Sequence, residues 1–181
     1  MNRIVVIAAS AGSVRAVIEI VAALPATWLS SMFIAFHIGA RPSLLPELLN
    51  RSGKLPSCHP ENGDLIQPGH IYVAPPDCHM RVGQGHIWLS RGPKINFTRP
   101  AADPLFESAA VAYGDRVVGI VLSGWASDGA NGLRAISGYG GRAIVQDPDE
   151  APVPDMPQAA IAAGDPVCLP AHLIAALLAS Q

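Results

Sequence analysis

The chain has 181 residues, half of them apolar and 14% charged, with a formal net charge of −2. That balance fits a single compact α/β domain over residues 1–181 and argues against a disordered chain. The lack of a basic run leaves nucleic-acid binding without an electrostatic footprint, and no apolar stretch reaches the ~18–20 residues of a membrane-spanning helix despite the positive mean hydropathy.

Arg3-Ile4-Val5-Val6-Ile7-Ala8-Ala9 is an apolar run that reads as a strand. It passes straight into the turn Ser10-Ala11-Gly12-Ser13, which leaves no room for a secretory leader and points to a cytoplasmic protein. Val14 to Val21 follows with helical spacing. Ser31–Phe36 is a second strand, ending at His37. Ser43 can cap a helix through Leu49, with Pro46 in its first turn and Gly53 as its stop. Gly69–Val73 reads as a strand closed by prolines, and His79–Val82 with His86–Leu89 as a hairpin around Gly83-Gln84-Gly85. Asp103 can cap the helix that runs from Pro104 to Tyr113. Val117–Leu122 is the most strand-like run, leading into the glycine-rich loop Ser123–Gly132 and a helix carrying Leu133 and Ile136. Arg142–Gln146, a proline-rich stretch, a short helix, Val167–Leu169 and a C-terminal helix complete the order. Alternation of strand and helix predicts a doubly wound, mostly parallel sheet flanked by helices, with the hairpin as an excursion at one edge. No heptad stripe or long exposed apolar strand is evident, so a monomer is expected.

Ser10, His37 and Asp128 each lie just beyond a different predicted strand. In an open α/β sheet, chemistry collects at that edge, beside helix N-termini. A serine hydroxyl needs a neighbouring base to act as nucleophile. Histidine is the usual base because imidazole titrates near neutral pH. A carboxylate fixes the ring tautomer and stabilises the imidazolium. Each residue also has a plainer reading. Ser10 can cap a helix or contact a phosphate, His37 can be a hydrogen-bonded structural histidine, and Asp128-Gly129 is a common turn or helix start. No G-x-S-x-G elbow is present, and the order Ser, His, Asp matches none of the familiar triads. G-x-G-x-x-G is absent too, so a dinucleotide site is not indicated. The cysteines Cys58, Cys78 and Cys168 are far apart with no C-x-x-C pair, which suggests neither disulfides nor structural zinc. His79 near Asp77 lacks a third ligand at convincing spacing, so no metal site is expected.

A set of motifs in fixed order decides among these readings. They are Ile7-Ala8-Ala9-Ser10-Ala11-Gly12, Ala35-Phe36-His37, Gly69 to Met80, Asn96-Phe97-Thr98-Arg99-Pro100, Asp103 to Ala110, Val121 to Gly132, Gln146-Asp147-Pro148 and Met156 to Ala160. From Ile4 to about Leu178 the chain resembles the catalytic domain of the bacterial chemotaxis protein-glutamate methylesterases. The resemblance implies a serine hydrolase that demethylates glutamate γ-methyl esters on the cytoplasmic helices of chemoreceptors, in some members also deamidating glutamines. It implies Ser10 as nucleophile, His37 as base, Asp128 as orienting acid, and backbone around Ala11, Gly12 and Trp125 for the oxyanion and substrate. It implies no metal or organic cofactor.

Three departures stand out. The family's Ser-Thr-Gly-Gly is here Ser10-Ala11-Gly12-Ser13. Phe36 and Ile38 replace the glutamine and methionine beside the histidine. Ser123-Gly124-Trp125 stands for Thr-Gly-Met. They motivate an alternative, a catalytically altered or inactive domain of the same fold that binds a partner, and a third reading, an esterase for another substrate. Family members carry a receiver domain ahead of the esterase, so either a trimmed chain or a stand-alone esterase served by a separate receiver or signalling protein is expected.

Overall fold

The computed structural model describes residues 2–180. Its centre is a seven-stranded sheet in the order β3-β4-β2-β1-β7-β8-β9. The strands are β1 (Ile4–Ala9), β2 (Ser31–Phe36), β3 (Ser57–Cys58), β4 (Ile71–Val73), β7 (Val117–Val121), β8 (Arg142–Gln146) and β9 (Val167–Leu169), and every pairing among them is parallel. The hairpin strands β5 (His79–Gly83) and β6 (His86–Ser90) form a separate two-stranded antiparallel sheet. It adds no strand to the main sheet and packs instead on helix α3 (Ala102–Tyr113), burying Met80, Val82 and Ile87.

A parallel sheet covered on both faces needs strands that are apolar on both sides, and β1 is buried along its whole length. Its residues alternate between two cores, as the two-residue pleat requires. Val5, Ile7 and Ala9 face α1 (Val14–Ala23), α2 (Leu45–Ser52) and α6 (Ala171–Ala179). Ile4, Val6 and Ala8 face α3, α4 (Ala130–Gly138), α5 (Asp155–Ala163) and the hairpin. Large side chains such as Phe33, Phe106, Ile7 and Ile20 are sealed from solvent, each contributing roughly 1.5–3 kcal/mol of transfer free energy.

β1 is the strand at which the chain reverses its direction of travel, with β2 on one side and β7 on the other. The loops after β1, β2 and β7 therefore open into one crevice at the carboxyl edge. Ser10, His37 and Asp128 lie in those three loops.

Candidate active site

Strand register brings two of the expected residues side by side. Ala9 pairs with Phe36, so the next positions, Ser10 and His37, leave the sheet together. The His37 N–H donates to Ala9 O at 3.0 Å, and on the other flank the Ser10 N–H donates to Ser123 O at 3.2 Å.

The turn after β1 is held open by small atoms and a serine staple. Ser13 Oγ donates to Ser10 O at 2.6 Å and accepts the Ser10 N–H at 2.9 Å. Ser13 itself has φ −89°, where a side chain brings no strain. Gly12 has φ +81°, and a Cβ there would stand 2.8 Å from Pro152 Cβ and 2.9 Å from Ser123 Oγ. Buried Ser123 ties the turn down from below, donating to Ala11 O at 2.9 Å and accepting the Val153 N–H at 2.9 Å. Gly124 closes the other side: a Cβ there would sit 2.5 Å from Ser10 Cβ and against Met156 Sδ. Ser10 is buried, 7% exposed, while its hydroxyl makes no hydrogen bond, to His37 or to any other described residue. Among the described residues, the N–H groups of Ala11, Gly12 and Trp125 also have no partner.

The acid is tied at every valence. His37 Nε2 lies 2.6 Å from Asp128 Oδ2, with side-chain exposures of 11% and 2%. The same oxygen accepts the Ala102 N–H at 2.5 Å, and Oδ1 accepts the Asn96 Nδ2 donor at 2.8 Å and the Asp103 N–H at 3.3 Å. Burial pushes the Asp128 carboxyl up, but His37, through its hydrogen bond and charge, and the donors Ala102 and Asn96 outweigh it and hold the group below the ordinary value. With Nε2 committed to Asp128, Nδ1 is the ring nitrogen left to take a proton from a neighbouring hydroxyl.

Asp103 differs from its sequence reading. The expected cap of α3 lies inside the first turn of that helix, whose flanking residue is Ala101. Its carboxylate turns away and accepts the Gly129 N–H at 3.1 Å and the Gly132 N–H at 2.8 Å, at the start of α4. Asp128, just ahead of α4, in turn accepts the first amides of α3. The two helices cap each other, with Asn96 Nδ2 bridging both carboxylates at 2.8 Å each. Burial and the nearby Asp128 charge push the Asp103 carboxyl up, against the pull of Gly132, Asn96 and Gly129.

Asn96, Asp103, Ser123, Gly124 and Met156 were not singled out as site residues by the sequence, although each lies within one of its motifs. The residues considered for metal are occupied otherwise. Asp77 Oδ1 accepts two bonds from Arg99, at 2.9 and 2.6 Å. The His79 ring pairs with Pro93 O at 2.9 Å and with the Ala101 N–H at 3.2 Å. Among the described residues no three His, Cys, Asp or Glu side chains are grouped to hold a metal ion, and the cysteines are free.

The family model for CheB methylesterase matches residues 5–178. The chain belongs to the CheB methylesterase family. The crystal structure of the Thermotoga maritima CheB methylesterase catalytic domain superposes with a TM-score of 0.91 at 30% identity, covering 99% of this chain and 98% of that one. A Caulobacter vibrioides protein-glutamate methylesterase/protein-glutamine glutaminase is 41% identical over 166 residues, covering 88% of this chain and 48% of its own length. A Leptospira interrogans protein provisionally named for the same two activities is 39% identical over 165 residues, with 88% and 83% covered. Against the Caulobacter relative the chain thus spans about half the length. The doubly wound, mostly parallel sheet expected from the alternation of strands and helices is borne out, and no described helix is long and apolar enough to cross a membrane.

Proposed function

We propose that this chain is a serine esterase that hydrolyses glutamate γ-methyl esters on the cytoplasmic helices of chemoreceptors, folded as one catalytic unit over its whole length. The observation that carries the proposal is the 2.6 Å contact of His37 with Asp128 at the register position beside Ser10.

In the proposed reaction His37 Nδ1 takes the proton of Ser10 Oγ as that oxygen attacks the ester carbonyl. Asp128 holds the ring and balances the imidazolium charge. The free N–H groups of Ala11, Gly12 and Trp125 supply donors for the developing oxyanion. Collapse of the tetrahedral adduct breaks the bond to the methoxy group, which leaves as methanol with the proton from His37. Water then attacks the acyl-serine, again deprotonated by His37, and releases the glutamate side chain and the Ser10 hydroxyl. A glutamine side chain would follow the same course with ammonia as leaving group.

The altered turn is compatible with this chemistry. Ser13 locks the Ser10 backbone without strain, so the substitution that motivated a non-catalytic reading stiffens the nucleophile turn instead.

The test is methanol release from a methylated chemoreceptor cytoplasmic fragment. Release by the wild type and loss in Ser10→Ala are expected. A folded wild type that releases no methanol would contradict the reading.

A further inference from the structure

A short turn beside the acid carries a residue that neither the fold nor the catalytic chemistry accounts for. Ile95 and Thr98 exchange two backbone hydrogen bonds, at 3.2 and 3.0 Å, around Asn96 and Phe97. Both central residues have positive φ, +51° and +64°. This is the pattern of a two-residue type I′ turn, whose preferred sequence is Asn-Gly. Asn96 fits its position. Phe97 occupies the glycine position, where a bulky side chain is strained. It gains no packing in return, being 96% exposed. A strained backbone and an uncovered aromatic ring coincide at one residue.

The turn is rigidly aimed. Asn96 Nδ2 is anchored at 2.8 Å on Asp128 and at 2.8 Å on Asp103, and Thr98 Oγ1 donates to Pro100 O at 2.9 Å. Phe97 is therefore one residue from the group that holds the acid. A second uncovered aromatic, Trp125, 64% exposed, follows Gly124, where a Cβ would stand 2.5 Å from Ser10 Cβ. The residues flanking His37 in sequence, Phe36 and Ile38, line a groove of about 490 Å³ together with Leu44 and Leu48. On a helical substrate, apolar residues three and four positions from the ester-bearing residue lie on the same face as the ester. An aromatic ring provides contact area for them with few torsions to freeze.

We propose that Phe97 is a specificity residue, packing against an apolar side chain of the esterified substrate helix next to the methyl ester. This rests on the esterase reading above. The strain at Phe97 is then retained because the ring's position serves substrate binding.

Phe97→Gly tests it without threatening the fold, since glycine is the residue this turn prefers and the melting temperature should hold or rise. Two substrates are compared: a methylated chemoreceptor cytoplasmic fragment, and the small ester 4-nitrophenyl acetate. The ratio of kcat/KM for the fragment to that for the small ester should fall about tenfold or more, the range of an apolar pocket contact, mainly through KM for the fragment. Phe97→Leu should restore part of the ratio. An unchanged ratio in Phe97→Gly overturns the proposal, as does equal loss on both substrates. A wild type with no Ser10-dependent hydrolysis of either substrate overturns the esterase reading and this inference with it.

Discussion

The two halves of the site are built on opposite principles. On the acid side, Asp128 accepts four hydrogen bonds and Asp103 three, and the helices α3 and α4 cap each other through them. On the side of the proposed nucleophile, the Ser10 hydroxyl and the amides of Ala11, Gly12 and Trp125 have no partner among the described residues. Groups that orient are saturated, because a half-satisfied buried carboxylate would cost stability and wander. In the proposed reaction the groups that meet the substrate are unbonded among the described residues, so that nothing must be broken when it arrives.

That contrast gives opposite signatures on mutation. Ser10→Ala should lower ester turnover by roughly 10⁴-fold or more with little change in melting temperature, since the hydroxyl it removes bonds to no described residue; steady-state kinetics beside thermal denaturation checks both halves. Asp128→Asn should lower kcat by roughly 10³–10⁴-fold and also destabilise the fold by about 2–4 kcal/mol.

Its pH dependence sharpens the point. The folded Asp128 carboxyl is held below its ordinary 3.8, so its contribution to stability is fully present above that pH and drains away as pH falls through the lower folded value. The stability gap between wild type and Asp128→Asn, measured by urea titration, should therefore narrow below pH 3.8.

Gly124→Ala pushes a methyl group toward Ser10 Cβ and Met156. A nucleophile displaced by about 1 Å costs about 10²-fold, seen as a fall in kcat. Asn96→Ala removes the bridge between two carboxylates but leaves Asp128 its bonds to His37, Ala102 and Asp103. Here a smaller loss is expected, about tenfold in kcat with KM unchanged. A loss as large as that of Asp128→Asn would erase the distinction between orienting and reacting groups.

Most of the sheet was legible because strands buried on both faces are written as continuous apolar runs, and the site edge followed from where those runs end. His37 and Ser10 could be placed together for the same reason: both are the first residue past adjacent strand ends. The support of Asp128 was not legible. Asp103 before Pro104 satisfies every local rule for capping its own helix, and its carboxylate serves α4 because tertiary packing brings that helix start closer. The turn at Asn96-Phe97 was hidden too, since the glycine that marks such turns is absent. The hairpin is legible as a hairpin, but strand pattern alone does not say whether it lies at a sheet edge or covers a helix. Its buried Met80, Val82 and Ile87 face α3.

The most direct test of the central claim, that Ser10 is a nucleophile activated by His37 on Asp128, is intact-protein and peptide mass spectrometry after treatment with a fluorophosphonate. One adduct on Ser10 in the wild type is expected, with none in Ser10→Ala and a strongly slowed reaction in His37→Ala. A folded wild type that takes up no adduct, or takes it up at another residue, would contradict it.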